Sequence, residues 1–198
     1  METRINTKSG KLLTVYDDLC PVSLINDIFF QLRSQEYPLV SSNDTALQDF
    51  NGVNGFGKTI DVEFIRSILN NIKSPEAFKL KRIVNHSEIK KSWVNLFNRD
   101  SPTNRYHADA HSYDSSYLSL LYYANSKWDL EWDGGTVFRT DDLSEVEYLS
   151  DYKPGRLILF DSSIPHKIYA SSYNAHPYRF TLNTLMTVDP SYLTTQVL

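Results

Sequence analysis

Tyr117-Leu-Ser-Leu-Leu-Tyr-Tyr123 is a run of apolar and aromatic side chains broken only by Ser119. It is far too short to cross a bilayer as a helix, and its aromatic residues suit a pleated strand. A strand points alternate side chains to opposite faces, so Ser119, Leu121 and Tyr123 share one face. Working outward, further short runs rich in β-branched and aromatic residues occupy 80–84, 92–97, 105–109, 135–139, 156–160, 166–170 and 179–187. Turn-forming clusters separate them: Asp100-Ser-Pro-Thr-Asn104, Asp133-Gly-Gly135, Lys153-Pro-Gly155 and Asn174-Ala-His-Pro177. With 117–123 these runs make eight predicted strands.

Before residue 78 the pattern is mostly helical. A short strand is predicted over 11–16, and Pro21 opens a helix in which Ile25, Ile28, Phe29 and Leu32 recur at helical spacing. Ile65, Ile68, Leu69 and Ile72 mark a second helix with one apolar face. Between Ser41 and Lys58 lies a polar stretch with three of the seven glycines, which reads equally as a lid or binding loop and as a surface loop. The expected fold class is α+β, in one domain spanning 1–198. Residues 1–77 supply helical N-terminal support and the candidate lid loop, and 78–198 a double-sheet jelly roll or barrel.

Of the 198 residues, 41 % are hydrophobic and 13 % aromatic, enough for a sizeable core and against wholesale disorder. The net charge of −4 is spread along the chain without a basic stripe, so no nucleic acid partner is expected. Cys20 is the sole cysteine, which rules out an intramolecular disulfide. No signal peptide or membrane span is visible, so a soluble cytoplasmic protein with no membrane partner is expected.

His107-Ala-Asp109 sets an imidazole and a carboxylate two residues apart, which on a strand puts both on one face. His166, after the Asp161-Ser-Ser-Ile-Pro165 turn, is the best third ligand. Two histidines and a carboxylate on one side of an ion leave the opposite positions open, the facial triad that suits iron(II). Arg179 lies near the start of the run Arg179-Phe-Thr-Leu-Asn-Thr-Leu. A guanidinium facing inward beside a metal needs an anion, and its planar fork fits a carboxylate. Thr181, on the same face, is a further donor.

The competing readings are simpler. His107 and His111 are four apart and could pair on zinc if helical, but Ala108 stands where a zinc protease needs glutamate. His86 and His176 read as surface residues, and Asp141, Asp142, Glu145 and Glu147 as a solvated acidic loop. Tyr106, Tyr113, Tyr117, Tyr122 and Tyr123 either line a substrate channel or pack on a two-sided sheet.

From Trp93 to Val188 the chain resembles the catalytic core of the prolyl hydroxylase group of 2-oxoglutarate- and iron(II)-dependent dioxygenases. The resemblance rests on His107, Asp109, His166 and Arg179 in order, on Tyr122-Tyr-Ala-Asn-Ser-Lys-Trp-Asp129 followed by Gly134-Gly135, and on Pro154-Gly-Arg-Leu-Ile-Leu-Phe160 leading to Pro165-His166. It implies a double-stranded β-helix (jelly roll) core with the N-terminal helices packed on one sheet. It also implies iron(II) held by His107, Asp109 and His166, and 2-oxoglutarate held through its distal carboxylate by Arg179, with Tyr123 and Thr181 beside it. Dioxygen would be the oxidant and ascorbate a reductant, with succinate and carbon dioxide as coproducts. Because Asp109 fills the third protein position, the resemblance implies hydroxylation rather than halogenation. Phe97 departs from the pattern, standing where some members have a second tyrosine. The expected substrate is a prolyl residue in a protein or peptide, a free amino acid or a small metabolite; the alternative is a non-catalytic jelly-roll module that binds a metal or a small acid.

Overall fold

The computed structural model describes residues 1–37, 56–98, 105–110 and 116–189. In chain order it runs through β1 (Glu2–Arg4), β2 (Leu13–Tyr16), α1 (Val22–Arg33), β3 (Phe56–Thr59), α2 (Val62–Asn71) and α3 (Phe78–Asn85). There follow β4 (Glu88–Asn98), β5 (Tyr117–Tyr123), β6 (Thr136–Arg139), β7 (Val146–Ser150), β8 (Leu157–Asp161), β9 (His166–Ile168) and β10 (Tyr178–Thr187). The strands form a seven-stranded sheet in the order β1-β2-β8-β5-β10-β4-β3 and a three-stranded sheet in the order β7-β6-β9. All of the pairings are antiparallel.

The alternation in β5 sorts the core into two layers. Leu118, Leu120 and Tyr122 point to one face, where they join Leu157, Leu159 and Leu182 against Ile28 and Leu32 of α1, Ile65, Ile68 and Leu69 of α2 and Leu80 of α3. Leu121 and Tyr123 point to the other, where Leu13, Val15, Ile158 and Phe160 of the large sheet meet Phe138 of the small one. Each aliphatic side chain so buried contributes roughly 1.5–3 kcal/mol, and a one-residue slip of β5 would move every one of them to the wrong face. Register is therefore set on both sides of the central strands. The helices pack on the outside of the large sheet, which leaves the space between the sheets for chemistry.

Three sequence expectations need correction. The run 80–84 is helix, not strand. A strand would have put Arg82 on the same face as Leu80 and Val84; the helix instead gathers Leu80, Ile83 and Val84 at i, i+3 and i+4, all at or below 1 % exposure. Pro75, opening the short 3-10 turn Pro75–Ala77, leads into it. The run 105–109 is not a strand either, because its ladder pairing is one isolated bridge between His107 and His166. Third, strand β7 arises within what read as an acidic loop, where Asp141 and Glu145 pair with Lys11 and Lys8 across the N-terminal turn. β1 and β3 were also not anticipated, β3 lying at the end of the polar stretch Ser41 to Lys58. The rest of that stretch lies outside the described residues, as do the 100–104 turn, His111 and Tyr113. No helix among the described residues is long and apolar enough to cross a membrane.

One glycine is demanded by space rather than by dihedral angle. A Cβ on Gly135 would sit 1.9 Å from the backbone oxygen of Ser150, where β6 meets β7. The nearest atoms are all backbone of Ser150 and Asp151, so no flexible side chain is there to yield. Gly135→Ala should therefore destabilise the fold by about 2 kcal/mol or more, read as a lower urea midpoint.

Candidate metal and anion site

His166 opens β9 and is 8 % exposed, its imidazole packed between Phe160 and Phe138 at centroid distances of 5.0 and 5.8 Å. Its Nδ1–H donates to the carbonyl of Ile164 at 3.0 Å, which leaves Nε2 as the free lone pair. His107 is set in the same way, Nδ1–H donating to the carbonyl of Arg105 at 3.1 Å. The two histidines hold one another through the backbone: His107 N–H donates to the His166 carbonyl at 3.1 Å, and His166 N–H to the His107 carbonyl at 2.9 Å. Two residues on, the N–H groups of Asp109 and Ala110 both donate to the carbonyl of Ser162. Ser119 of β5 donates from Oγ to Asp109 Oδ2 at 2.6 Å, as its place on the inner face allows.

Each of the three side chains is thus tied by one atom and presents the other. The presented atoms are His107 Nε2, His166 Nε2 and Asp109 Oδ1; the last lies 3.8 and 3.7 Å from the two nitrogens. Those separations are too long for hydrogen bonds. Ligand atoms of the three residues lie within 4.8 Å of one another, so together they could hold a metal ion. Burial pushes the His166 pKa down to about 4; nearby His107 adds to the effect and Asp109 opposes it. A neutral imidazole is the form that ligates a metal. The donor set of two nitrogens and one carboxylate oxygen, each residue tied behind by a hydrogen bond, fits the facial arrangement expected for iron(II).

Arg179 of β10 is 2 % exposed. Its Nε–H donates to the Gly134 carbonyl, while Nη1 and Nη2 have no hydrogen-bond partner. The guanidinium carbon lies 5.0 Å from the ring centroid of Tyr152 and 5.5 Å from that of Tyr123, an arrangement that favours the cation. Burial nevertheless pushes the Arg179 pKa below its ordinary value. A buried fork of unpaired N–H donors is costly to maintain, and a carboxylate is the ligand that would satisfy it.

The structure brings Arg179, Tyr123 and Thr181 together. Thr181 is the cross-strand partner of Tyr123 and is itself buried on the inner face. The Tyr123 hydroxyl, however, donates to Thr136 Oγ1 at 2.9 Å, so its proton is engaged within the protein. Phe97 is the cross-strand partner of Arg179 and is also buried. Sequence reasoning missed Tyr152, which stacks on Tyr123 at 4.4 Å and accepts from the Asn125 N–H at 3.0 Å. Nothing but its position before the Lys153-Pro-Gly155 turn distinguishes it in the sequence. His86 is exposed, as expected, whereas His176 is half-buried with its ring edge-on to Phe29, and Tyr122 packs on the helical side, away from the site.

At the level of sequence, the chain matches no family model and no curated protein. Its fold, by contrast, has clear counterparts among solved structures. A prolyl-4-hydroxylase from Pseudomonas putida superposes with a TM-score of 0.62 at 15 % identity, over 89 % of this chain and 92 % of that one. A prolyl hydroxylase from Trichoplax adhaerens, in complex with a hypoxia inducible factor peptide fragment, gives 0.60 at 16 % identity over 92 % and 86 %. HygX from Streptomyces hygroscopicus, with nickel and 2-oxoglutarate bound, gives 0.59 at 10 % identity over 90 % and 83 %. The chain has the jelly-roll fold of the 2-oxoglutarate- and iron(II)-dependent oxygenases.

Proposed function

We propose that the chain is an iron(II)- and 2-oxoglutarate-dependent dioxygenase that hydroxylates a C–H bond. The observation that carries this reading is Arg179, a buried guanidinium whose two terminal nitrogens are unpaired, in the same space between sheets as a convergent His107, Asp109 and His166. A metal-binding module alone would not need a dry anion receptor. In the proposed enzyme His107, Asp109 and His166 hold iron, and Arg179 holds the distal carboxylate of 2-oxoglutarate, with Thr181 and Tyr123 beside it. Iron(II) and 2-oxoglutarate supply the oxidising chemistry, consuming dioxygen and releasing succinate and carbon dioxide, with ascorbate keeping the metal ferrous. The protein orients the pair: Ser119 fixes the carboxylate of Asp109, the carbonyls of Arg105 and Ile164 fix the imidazoles, and the Tyr123–Tyr152 stack fixes the guanidinium. The first substrate class to test is a prolyl residue in a peptide, in keeping with the two prolyl hydroxylases of like fold; HygX, which is also known with hygromycin B bound, keeps small metabolites in view.

The test is succinate formation by the full chain supplied with iron(II), 2-oxoglutarate and ascorbate. Slow turnover without a substrate, stopped by a chelator, is expected. 2-Oxoglutarate at a hundred times its dissociation constant should also stabilise the metal-loaded chain by about 2.7 kcal/mol. Absence of both succinate and thermal stabilisation would sink the reading.

A further inference from the structure

The residues 105–110 that carry two of the three candidate ligands belong to no strand. Among the described residues their backbone is joined to the sheets at only two places, the His107–His166 bridge at the edge of the small sheet and the Ser162 carbonyl just beyond β8 of the large one. Short attachments of this kind specify register weakly, and a slip by one residue would turn His107 outward. Something else must hold the alternation.

Phe138 faces the interior and pairs with His166, so Val137 and its partner Lys167 face the other way, as does Arg139. Tyr106 lies on that outer side. Its hydroxyl accepts from Arg139 Nε at 2.8 Å, and the Lys167 ammonium stands 4.6 Å from its ring centroid. Arg139 is itself anchored, its Nη1 donating to the Leu143 carbonyl and its backbone N–H to that of Pro165, each at 2.8 Å. One residue further, His107 turns inward and meets the His166 ring at 4.5 Å.

We infer that Tyr106 is a positioning residue: clamped by Arg139 and Lys167 outside the small sheet, it fixes the alternation that aims His107 at the metal. The cation beside each end of the clamp comes from a strand that borders the site, Lys167 being the residue after His166. Ring and hydroxyl contribute separately, through the ammonium over the π face and through the Arg139 hydrogen bond. The inference rests on the metal reading proposed above.

The test is Mn(II) binding to the full chain, followed by the electron paramagnetic resonance of free metal. Tyr106→Leu should weaken binding about tenfold, as loss of a group that orients a metal ligand commonly does. Tyr106→Phe keeps the ring under Lys167 and should recover most of that loss. Lys167→Met should weaken binding by less than Tyr106→Leu, and the double variant should be no weaker than Tyr106→Leu alone. With Co(II), the visible spectrum of Tyr106→Leu should move toward that of His107→Ala, a change that general destabilisation would not produce. Wild-type affinity in Tyr106→Leu, or losses that simply add in the double variant, would overturn the clamp and leave the metal site standing. No Mn(II) binding by the wild-type chain would overturn the metal reading and the clamp with it.

Discussion

Asp109→Ala is expected to remove succinate formation, lowering it about a thousandfold or to background, while the chain stays folded. Orienting groups behind a ligand are worth about ten- to a hundredfold in metal affinity, so a ligand itself should count for more. Asp109 is the sole anionic member of the triad, and without it two neutral imidazoles must hold a dication. Ser119 would lose its acceptor but still has Ser162 Oγ at 2.9 Å, so no buried hydroxyl is stranded. The metal-free variant should therefore unfold within about 1 kcal/mol of the wild type. Paired measurements of succinate by mass spectrometry and of the urea midpoint separate the two effects. Full turnover in the variant would remove Asp109 from the metal site.

Arg179→Met is expected to act with opposite signs on affinity and stability. Met roughly matches the length of the stem but brings no charge and no donors. Affinity for 2-oxoglutarate should fall about a hundredfold or more, since a desolvated carboxylate would lose its bidentate partner. Stability without 2-oxoglutarate should rise by about 1–3 kcal/mol, because a buried cation with unpaired donors is replaced by an apolar group. Against this stand the Nε–H bond to the Gly134 carbonyl and the contacts with Tyr123 and Tyr152, together worth about 1–2 kcal/mol. The desolvation cost of the ion is several kcal/mol and should win. A lower unfolding midpoint would mean that Arg179 is chiefly a structural residue, and unchanged 2-oxoglutarate affinity by calorimetry would remove it from the cosubstrate site.

Much of the architecture was legible where one physical signal dominated. In β5 the run is apolar and aromatic along its whole length, so its span, and the common face of Ser119, Leu121 and Tyr123, could be read directly. Ile65, Ile68 and Leu69 likewise declare α2 through helical spacing. Over 80–84, β-branched residues suggested strand, yet spacing decided in favour of α3; tertiary burial outweighs local propensity. β1 was illegible because all three of its residues are exposed, and without burial there is no alternation to see. The candidate ligands could be picked out by residue type and order, although the strand argument for His107 and Asp109 was wrong. Their common direction comes from backbone bonds to His166 and Ser162, far along the chain. Tyr152 and the engagement of the Tyr123 hydroxyl by Thr136 depend on long-range packing, which no local pattern encodes.

The strand order has a consequence for how the protein comes to be made. β10 sits between β5 and β4 in the large sheet, yet it follows every other strand among the described residues. β2 pairs with β8 across most of the sequence. Such distant pairings must close long loops before they are rewarded, so folding should be slow for a chain of this size. Until β10 leaves the ribosome the sheet is split, with the edges of β5 and β4 open to other chains. The same late strand delivers Arg179. A nascent chain is therefore sticky, and the proposed cosubstrate site stays incomplete, until β10 completes both the sheet and the setting of Arg179 in one step.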